Sequence, residues 1–394
     1  MFSGIRKLLS PSQALEPAPL RHDDNFTVTS PQSAEASPQS SMKPLTPLYR
    51  PGERFEISKT GLIDWLGSDS FKRVQAFYYH YPPDSLQSDE ARALLHHLIV
   101  MRRPERVLEI GTWHARTTET MARALWETGQ GHIDTIDPFG GERCPPIIAT
   151  FPPELQKLIT FRPESSAAYF DRAMTGTEHY DLVLVDGNHE FEFALFDIMC
   201  AARLMRPGGL MVMDNIEQVG PRLSAKAFLE RNPDWRDVAD VLRHIDVTTP
   251  FTVPPACFPD TKFYLFEAPP YYVIGAEPRV FGPADVVSAE VDGIELEIAK
   301  PAKGTLHLLV YVRSFGLSVP EELRCEQNIA LDPAQVPANG RLRVPLSQPL
   351  HTKHPQPGLH RRVEVSLAFS GGDRLGLRSF PQLYPTAYGR SLDL

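Results

Sequence analysis

Acidic side chains stand at or next to the ends of short apolar runs in the first two thirds of the chain. They are Glu109, Asp137, Asp186 and Asp214. Sheets of parallel strands bind ligands at the carboxyl ends of their strands, so we expect these carboxylates to share one cleft. Carboxylates in such a place accept hydrogen bonds from hydroxyl groups, bind amines, or hold a hard cation.

The segment from residue 107 to 118, VLEIGTWHARTT, predicts a strand, a tight turn and the start of a helix. Gly111 allows the backbone of the turn to approach a ligand closely, with Thr112 beside it. The helix that begins near Thr117 directs free N–H groups towards that ligand. No GxGxxG pattern is present, which makes a dinucleotide a poor fit. A cofactor with an amino-acid head fits better, because Glu109 can bind its ammonium group.

Asp137 ends the next apolar run along the chain. A carboxylate at this position can accept hydrogen bonds from both hydroxyls of a ribose. The alternative is an ordinary solvated aspartate at a strand end. The preceding glycine motif favours the ribose interpretation.

The order of apolar runs predicts the fold of this region. Strand patterns at residues 107–110, 133–136, 182–185 and 210–213 alternate with helical patterns at 117–126 and 191–204. A further helix is predicted over residues 89–100, with Ser88 or Asp89 as its cap, and a late edge strand over residues 263–266. This alternation is typical of an α/β fold, a Rossmann-like and mostly parallel sheet with helices on both faces.

The chain changes character after about residue 278. Ile294, Leu296 and Ile298 alternate with glutamates, residues 306–312 and 363–369 also have strand patterns, and residues 370–373 form a turn. This period of two predicts a C-terminal antiparallel β-sandwich-like domain. The predicted organisation is a Pro- and Ser-rich tail over 1–52, an α/β domain over 53–275 with a helical cover at 53–100, and a β-rich domain over 280–394.

Bulk properties exclude several function classes. A net charge of -9 and a pI near 5.8 argue against a chain-wide grip on nucleic acid. No apolar run approaches the length of about 18 residues that a membrane span needs. Four isolated cysteines, Cys144, Cys200, Cys257 and Cys325, predict reduced thiols in a cytoplasmic protein.

The first two motifs resemble motif I and the acidic position that follows it in class I S-adenosylmethionine (SAM)-dependent methyltransferases. Residues 108–112 are similar to the LEIGT opening of small-molecule O-methyltransferases. The sequence departs from the family at Ala115, where a second glycine is usual. The resemblance implies that Glu109, Gly111, Thr112, Asp137 and Asp186 bind SAM. It also places Glu164 or Ser165 at the adenine.

The stretch from Asp186 to Glu192 resembles the family pattern D-G-D-H-x-Y-E, and Arg206-Pro207-Gly208-Gly209 before Asp214-Asn215 resembles its PGG turn and strand ending. The resemblance to catechol-type and sugar O-methyltransferases implies that Asp186, Asp214 and Asn215 bind Mg²⁺. Such hard oxygen ligands suit this ion, which lowers the pKa of a bound hydroxyl. His189 falls where catechol-type relatives keep a lysine base, and Asp197 is interpreted as structural. Alternatively, Asp186 and Asp214 cap loops and His189 is structural.

These motifs together predict a metal-assisted, SAM-dependent O-methyltransferase that acts on a hydroxyl of a small molecule or sugar. The C-terminal domain could bind glycan or a partner, or mediate a homo-oligomer. A catalytically silent scaffold is the main alternative, and Ala115 is the feature that hints at it. An iron-dependent hydroxylase needs a His/carboxylate triad, for which only His189 is placed. Residues 55–85, 138–153 and 245–260 are expected to carry acceptor specificity.

Overall fold

The computed structural model describes residues 45–50, 53, 67–174, 178–238, 262–285, 290–315, 322–351, 360–385 and 392–393. Most of the predicted tail, Cys257 and the predicted loop at 245–260 lie outside these residues.

A sheet of seven strands forms the centre of the N-terminal region. The strands are β1 (Arg106–Ile110), β2 (His132–Ile136), β3 (Ile159–Arg162), β4 (Tyr180–Val185), β5 (Met205–Met213), β6 (Arg236–Asp237) and β7 (Tyr264–Glu267). Their order is β3-β2-β1-β4-β5-β7-β6, and β7 is antiparallel to β5. The predicted α/β class is confirmed, and the five strands predicted in this region are present as β1, β2, β4, β5 and β7. The predicted edge position of the last strand is wrong, because β6 pairs with the outer side of β7.

Eight helices are described with this sheet. They are α1 (Asp69–Tyr78), α2 (Asp89–Arg102), α3 (Arg116–Thr128), α4 (Cys144–Ile148), α5 (Pro153–Gln156), α6 (Ser166–Ala173), α7 (Phe191–Leu204) and α8 (Val219–Arg231). The side chain of Ser88 caps α2 by accepting a hydrogen bond from the Ala91 N–H at 3.1 Å. The helices predicted to begin near residues 89, 117 and 191 are present as α2, α3 and α7.

The sheet reverses its direction of growth between β1 and β4. From β1 the chain passes through α3 to β2 on one side, and from β4 it passes through α7 to β5 on the other. Right-handed crossovers in opposite directions put these helices on opposite faces of the sheet. The carboxyl ends of β1 and β4 then leave a crevice, which is where sheets of this kind bind ligands.

Buried aliphatic side chains hold this layer together. Residues of the central strands such as Leu108, Val183 and Val212 are fully inaccessible to solvent and pack with helix residues such as Leu95 and Ile198. Burial from both faces explains why the central strands have continuous apolar sequences rather than alternating ones. The core therefore fixes the strand ends from which the site is built.

The C-terminal region consists of antiparallel strands. They are β8 (Tyr272–Ile274), β9 (Arg279–Asp285), β10 (Glu290–Lys300), β11 (Gly304–Phe315), β12 (Glu322–Leu331), β13 (Arg341–His351), β14 (His360–Gly371), β15 (Leu375–Leu377), β16 (Gln382–Pro385) and β17 (Leu392–Asp393). One sheet has the order β12-β11-β14-β9, and the other β17-β16-β10-β15-β8 with β13 also paired to β10. Ile294, Leu296 and Val310 contribute to a separate core.

The antiparallel region begins before residue 280. β8 pairs with β15, so residues 272–274 belong to the C-terminal sheets although the sequence places them in the α/β domain. Among the described residues, no helix has the length and hydropathy that crossing a bilayer requires.

Candidate active site

A cavity of about 440 Å³ lies at the carboxyl ends of β1, β4 and β5. Its wall combines residues 84–88, the turn from Gly111 to Thr117 and the residues that follow β4 and β5. The structure brings the following predicted site residues together on this wall: Gly111, Thr112, Asp186, His189, Asp214 and Asn215. The other predicted site residues lie outside this wall: Glu109, Asp137, Glu164 and Ser165.

Gly111 is required by a contact within the protein. Its φ is +98°, and a Cβ atom at this position would lie 1.9 Å from the carbonyl oxygen of Asp186. No other residue fits so close to the end of β4. The packing of two strand ends thus requires glycine here, and the expected close approach to a ligand stays a prediction. The result still brings the turn and Asp186 to one wall.

The remainder of this turn is strained at two side-chain-bearing residues. Trp113 has a φ of +46° and Ala115 a φ of +55°, values that favour glycine. Ala115 is fully buried, and it stands where the motif I resemblance led us to expect a glycine. Strain of this kind persists only where the surroundings hold it, and it clusters at functional sites.

The N-terminus of α3 opens onto the cavity without a side-chain cap. Its N-cap residue is Ala115, which makes no side-chain capping hydrogen bond. The first helical residues, Arg116 and Thr117, lie on the wall. Unpartnered N–H groups and the helix dipole at this end favour an anionic group such as a carboxylate. Arg116 itself donates to the Asp84 carboxylate at 2.7 Å, which ties residues 84–88 to the turn.

Asp186 and Asp214 follow neighbouring strands whose last residues, Val185 and Met213, are paired in register. Asp214 is only 2% exposed. Burial, and next the negative charge of Asp186, raise the pKa of Asp214 well above its usual range. Two carboxylates held this way gain stability from a cation or a shared proton.

The Asp214 carboxylate has two hydrogen-bond donors. The Asn215 N–H donates to Oδ1 at 2.6 Å, and Nε2 of Gln87 donates to Oδ2. Asn215 has a φ of +53°, a left-handed conformation that asparagine tolerates. Gln87 is a site residue that the sequence analysis missed, because it belongs to no motif and lies far from Asp214 along the chain.

His189 lies beside Asp186 at the rim. Its Nε2 atom is 3.9 Å from Oδ1 of Asp186, and its side chain is 39% exposed. The Asp186 interaction raises the pKa of His189, and burial opposes this effect. The histidine is therefore within reach of a ligand in the cavity, with its charge coupled to the aspartate.

Glu109 lies beneath the turn rather than on the cavity wall. Its Oε2 atom accepts hydrogen bonds from the hydroxyls of Thr118 at 2.5 Å and Thr135 at 2.6 Å. Thr135 also contacts the hydroxyl of Thr112 at 2.6 Å. Oε1 is buried without a partner among the described residues, and burial raises the pKa of Glu109 to about 8. Glu109 thus supports the turn from below.

The Asp137 carboxylate already accepts hydrogen bonds from several groups of the protein. It accepts hydrogen bonds from the N–H groups of Trp113 and Phe139, each at 2.8 Å. Arg143 donates to it at 3.2 Å and stacks over the Trp113 ring, 4.2 Å from its centroid. A ribose at Asp137 would therefore compete with the Arg143 side chain.

The predicted adenine contacts also have partners within the protein. Glu164 accepts a hydrogen bond from Arg172 at 2.6 Å. Ser165 caps α6 by accepting from the Ala168 N–H at 3.2 Å. Both residues follow the end of β3. This strand is the neighbour of β2 in the sheet, and Asp137 follows the end of β2.

Asp197 is buried beneath the loop that follows β4. A Cβ atom on Gly187 would lie 3.0 Å from its Oδ2 atom. Burial raises the pKa of Asp197 to about 6. This position is compatible with the structural role expected from the sequence, since the carboxylate packs directly under the loop that carries His189.

A family model described as a methyltransferase domain matches residues 108–216. No curated protein sequence matches the chain at a significant level. Among solved structures, an O-methyltransferase from Bacillus cereus in complex with SAH is 15% identical. That match covers 50% of this chain and 87% of the other, with a TM-score of 0.33. An O-methyltransferase from Streptomyces achromogenes, in complex with SAM, is 19% identical over 51% of this chain and 90% of its own, with a TM-score of 0.33.

Proposed function

We propose that this protein is a SAM-dependent enzyme that methylates a hydroxyl oxygen of a small molecule or sugar. The match of residues 108–216 to a methyltransferase domain model supports the proposal. One observation carries the proposal. Asp186, Asp214 and His189 lie on the wall of the cavity that also contains the uncapped N-terminus of α3. One cavity would thus bind an anionic head group at the start of α3 and the acceptor hydroxyl at the aspartates. His189 would be the proton acceptor beside them.

The cofactor contacts follow from this arrangement. The carboxylate of SAM would bind the free N–H groups at the start of α3, next to Gly111 and Thr112. The ribose hydroxyls would bind Asp137 once Arg143 moves aside. The adenine would lie further along the same edge of the sheet, near Glu164 or Ser165. Glu109 would act through the turn that it supports.

A divalent cation fits the chemistry of Asp186, Asp214 and Asn215. Among the described residues, no group of three Asp, Glu, His or Cys side chains could hold a metal, so the third ligand would be the Asn215 amide. Burial, and next the charge of Asp186, raise the pKa of Asp214, so the ionised form of this carboxyl needs a compensating positive charge. Mg²⁺, when bound, would supply that compensation and lower the pKa of the acceptor hydroxyl.

His189 would take the proton of the acceptor hydroxyl. With SAM bound, the hydroxyl oxygen would bond to the methyl carbon as the carbon–sulfur bond breaks, and the bonding electrons would return to sulfur. The products would be a methyl ether, S-adenosylhomocysteine and a protonated histidine. Residues 84–88, which Gln87 and Asp84 tie to the site, would orient the acceptor and exclude water.

A silent binding protein is the second candidate function. The observation that favours it is Arg143, which occupies the carboxylate expected to bind ribose. The strained Ala115 adds to it.

We also propose a cytoplasmic location, since Cys144, Cys200 and Cys325 are free thiols. Homo-oligomer formation and glycan binding by the C-terminal sheets stay expectations.

Titration calorimetry with SAM, followed by mass spectrometry of acceptors, tests the proposal. We expect SAM to bind and a panel of catechols and sugars to include an acceptor that gains one methyl group. A chelator should abolish this transfer and leave SAM binding intact. No heat at millimolar SAM would overturn the enzyme proposal. Binding without transfer to any hydroxylated acceptor would favour the silent protein, and transfer that survives the chelator would overturn the metal.

A further inference from the structure

A second cavity, of about 350 Å³, lies where the α/β region meets the antiparallel sheets. Its walls come from the end of α7, the start of β5, the end of α8 and residues 268–279, with Arg374 contributed by the segment before β15. None of these segments contributes to the proposed methyl-transfer cavity, so its occupant would be a separate ligand.

Arginine dominates the charge of this second cavity. Five arginines line it: Arg203, Arg206, Arg231, Arg279 and Arg374. Glu277 is the one carboxylate among its described lining residues. The whole chain has a net charge of -9, so a concentration of positive charge here is not a consequence of composition.

Two of these guanidinium groups have their charge compensated within the protein. Arg206 lies 3.1 Å from Asp181 and 2.9 Å from Glu105, and Arg374 lies 3.4 Å from Asp234. These pairs explain the positions of both side chains without any ligand.

Arg203 and Arg279 differ, because no carboxylate of the described residues lies within ion-pair distance of either. Both Nη atoms of Arg203 donate to the Pro278 carbonyl at 3.2 Å, and Arg279 donates to the Arg203 carbonyl at 3.0 Å. Each guanidinium has five N–H groups, so these contacts leave donors available on both. The carbonyl contacts fix their positions but do not neutralise their charge.

Aromatic rings hold Arg279 in place. Its guanidinium lies 4.9 Å from the Tyr272 ring centroid and 5.7 Å from that of Phe281. Burial, and next the charge of Arg203, lower the pKa of Arg279 to about 10, so it remains charged at neutral pH. Arg203 is exposed and Arg279 is half-buried, so an anion from solvent can reach both neighbouring positive charges.

We propose that this cavity binds a small molecule that carries a phosphate group. Arg203 and Arg279 would bind the phosphate oxygens, for which the planar guanidinium is well suited. Tyr271 and Trp235, on the same wall, would contact the organic part of the ligand. The inference is independent of methyl transfer.

Calorimetry and phosphorus NMR of the full chain test this site with glucose 6-phosphate, inorganic phosphate and glucose as probes. We expect glucose 6-phosphate to bind more tightly than inorganic phosphate, and glucose to give no heat. Arg203→Gln and Arg279→Gln should each weaken binding of glucose 6-phosphate at least tenfold. Arg324→Gln, which removes an exposed arginine of β12 that pairs with Glu326, is the matched control and should bind as the unmodified chain does.

A purely structural role for these arginines predicts other results. The variants would then lower the melting temperature, and neither phosphate compound at 10 mM would broaden its phosphorus signal with the unmodified chain. That outcome, or equal weakening by Arg324→Gln, would overturn the proposal. Arg279→Lys keeps the charge and loses the planar fork, so intermediate affinity in a folded variant would support phosphate recognition.

Discussion

The strand-end cavity and the junction cavity, both formed by described residues, carry side chains of opposite charge and are built in different ways. The strand-end cavity carries Asp186 and Asp214, which follow adjacent parallel strands and belong to short sequence motifs. The junction cavity carries Arg203 and Arg279 on elements that belong to different cores. A site on neighbouring strand ends is set by the sheet order, whereas a site at a junction depends on how two regions pack.

The charges in both cavities also affect the stability of the fold. In each cavity the protein holds like charges together without compensating them, which reduces the stability of the fold. Functional sites commonly keep such an arrangement because a ligand or cation uses it. Removing one charge should therefore relieve this repulsion and impair binding or catalysis.

The largest effect is expected from Asp214→Asn in the strand-end cavity. The amide has no charge and only one acceptor oxygen, so it keeps one of the two hydrogen bonds from Gln87 and the Asn215 N–H, and kcat for methyl transfer should fall by about 100-fold or more. Removal of a buried charge beside Asp186 and loss of one hydrogen bond act in opposite directions, so the free energy of unfolding should change by no more than about 1 kcal/mol. Enzyme kinetics and urea denaturation measure the two changes.

Asp292→Asn is the control for this substitution, since Asp292 lies on β10 and pairs with Arg343 at 3.1 Å. It should leave kcat at its original value. If Asp214→Asn kept full activity, the proposed roles of the carboxylates in the strand-end cavity would be wrong.

Glu109→Gln tests whether the Glu109 carboxyl group, beneath the turn of the strand-end cavity, is protonated in the folded protein. The folded protein raises the pKa of Glu109 from 4.5 to about 8, so the folded state holds the proton more tightly than the unfolded state. Stability should therefore be greatest at low pH and fall as pH rises from 4.5 to 8, by up to about 1.4 kcal/mol per pH unit. The glutamine variant, which mimics the protonated group, should lose that dependence.

Urea denaturation between pH 5 and 8.5 measures this difference. Glu154→Gln, an exposed change at the start of α5, should keep the original pH dependence. Curves for Glu109→Gln and the unmodified chain that run parallel over this range would show that Glu109 is ionised in the folded protein.

Asp137→Ala distinguishes cofactor binding from packing at the same edge of the sheet. Loss of the ribose hydrogen bonds should weaken SAM binding by about 1–3 kcal/mol. Arg143→Ala should instead tighten SAM binding, because it frees the carboxylate that Arg143 occupies. Calorimetry with SAM measures both values. An affinity unchanged by Asp137→Ala would mean that the ribose lies elsewhere.

The smallest effect is expected from Ala115→Gly in the strained turn. Glycine relieves the positive φ at this residue, so the free energy of unfolding should rise by up to about 1 kcal/mol. Ala124→Gly, in the interior of α3, should lower it by about 1 kcal/mol. Thermal denaturation of the pair checks the opposite signs, and a loss of stability in both would show that the turn is not strained.

The sequence predicted much of the fold because buried strands and helices leave periodic patterns. The strand ending at Ile110 and the helix beginning at Phe191 were located closely, and the antiparallel character after residue 278 was recognised. β3 escaped prediction since its four residues are all half-buried and give no apolar run. β6 has only two residues, so its position outside β7 could not be read from a pattern.

The site was predicted in part for the same reason. Asp186, Asp214, Asn215 and His189 stand in motifs and share a cavity wall. Glu109 was placed at the right strand but not beneath the turn, because the side of a strand that meets the ligand depends on packing. Gln87 has no motif, since its role comes only from a contact across the fold.

By itself, then, the sequence determined the order of strands and helices, the glycine turn after β1 and the acids at the strand ends. These depend on local backbone preferences and on which residues avoid water, and both are written in neighbouring residues. Only the tertiary structure decided that Arg143 covers Asp137, that Gln87 reaches Asp214 and that Arg203 and Arg279 meet in one cavity. Such contacts join distant parts of the chain, and their energies depend on packing geometry that no local pattern records.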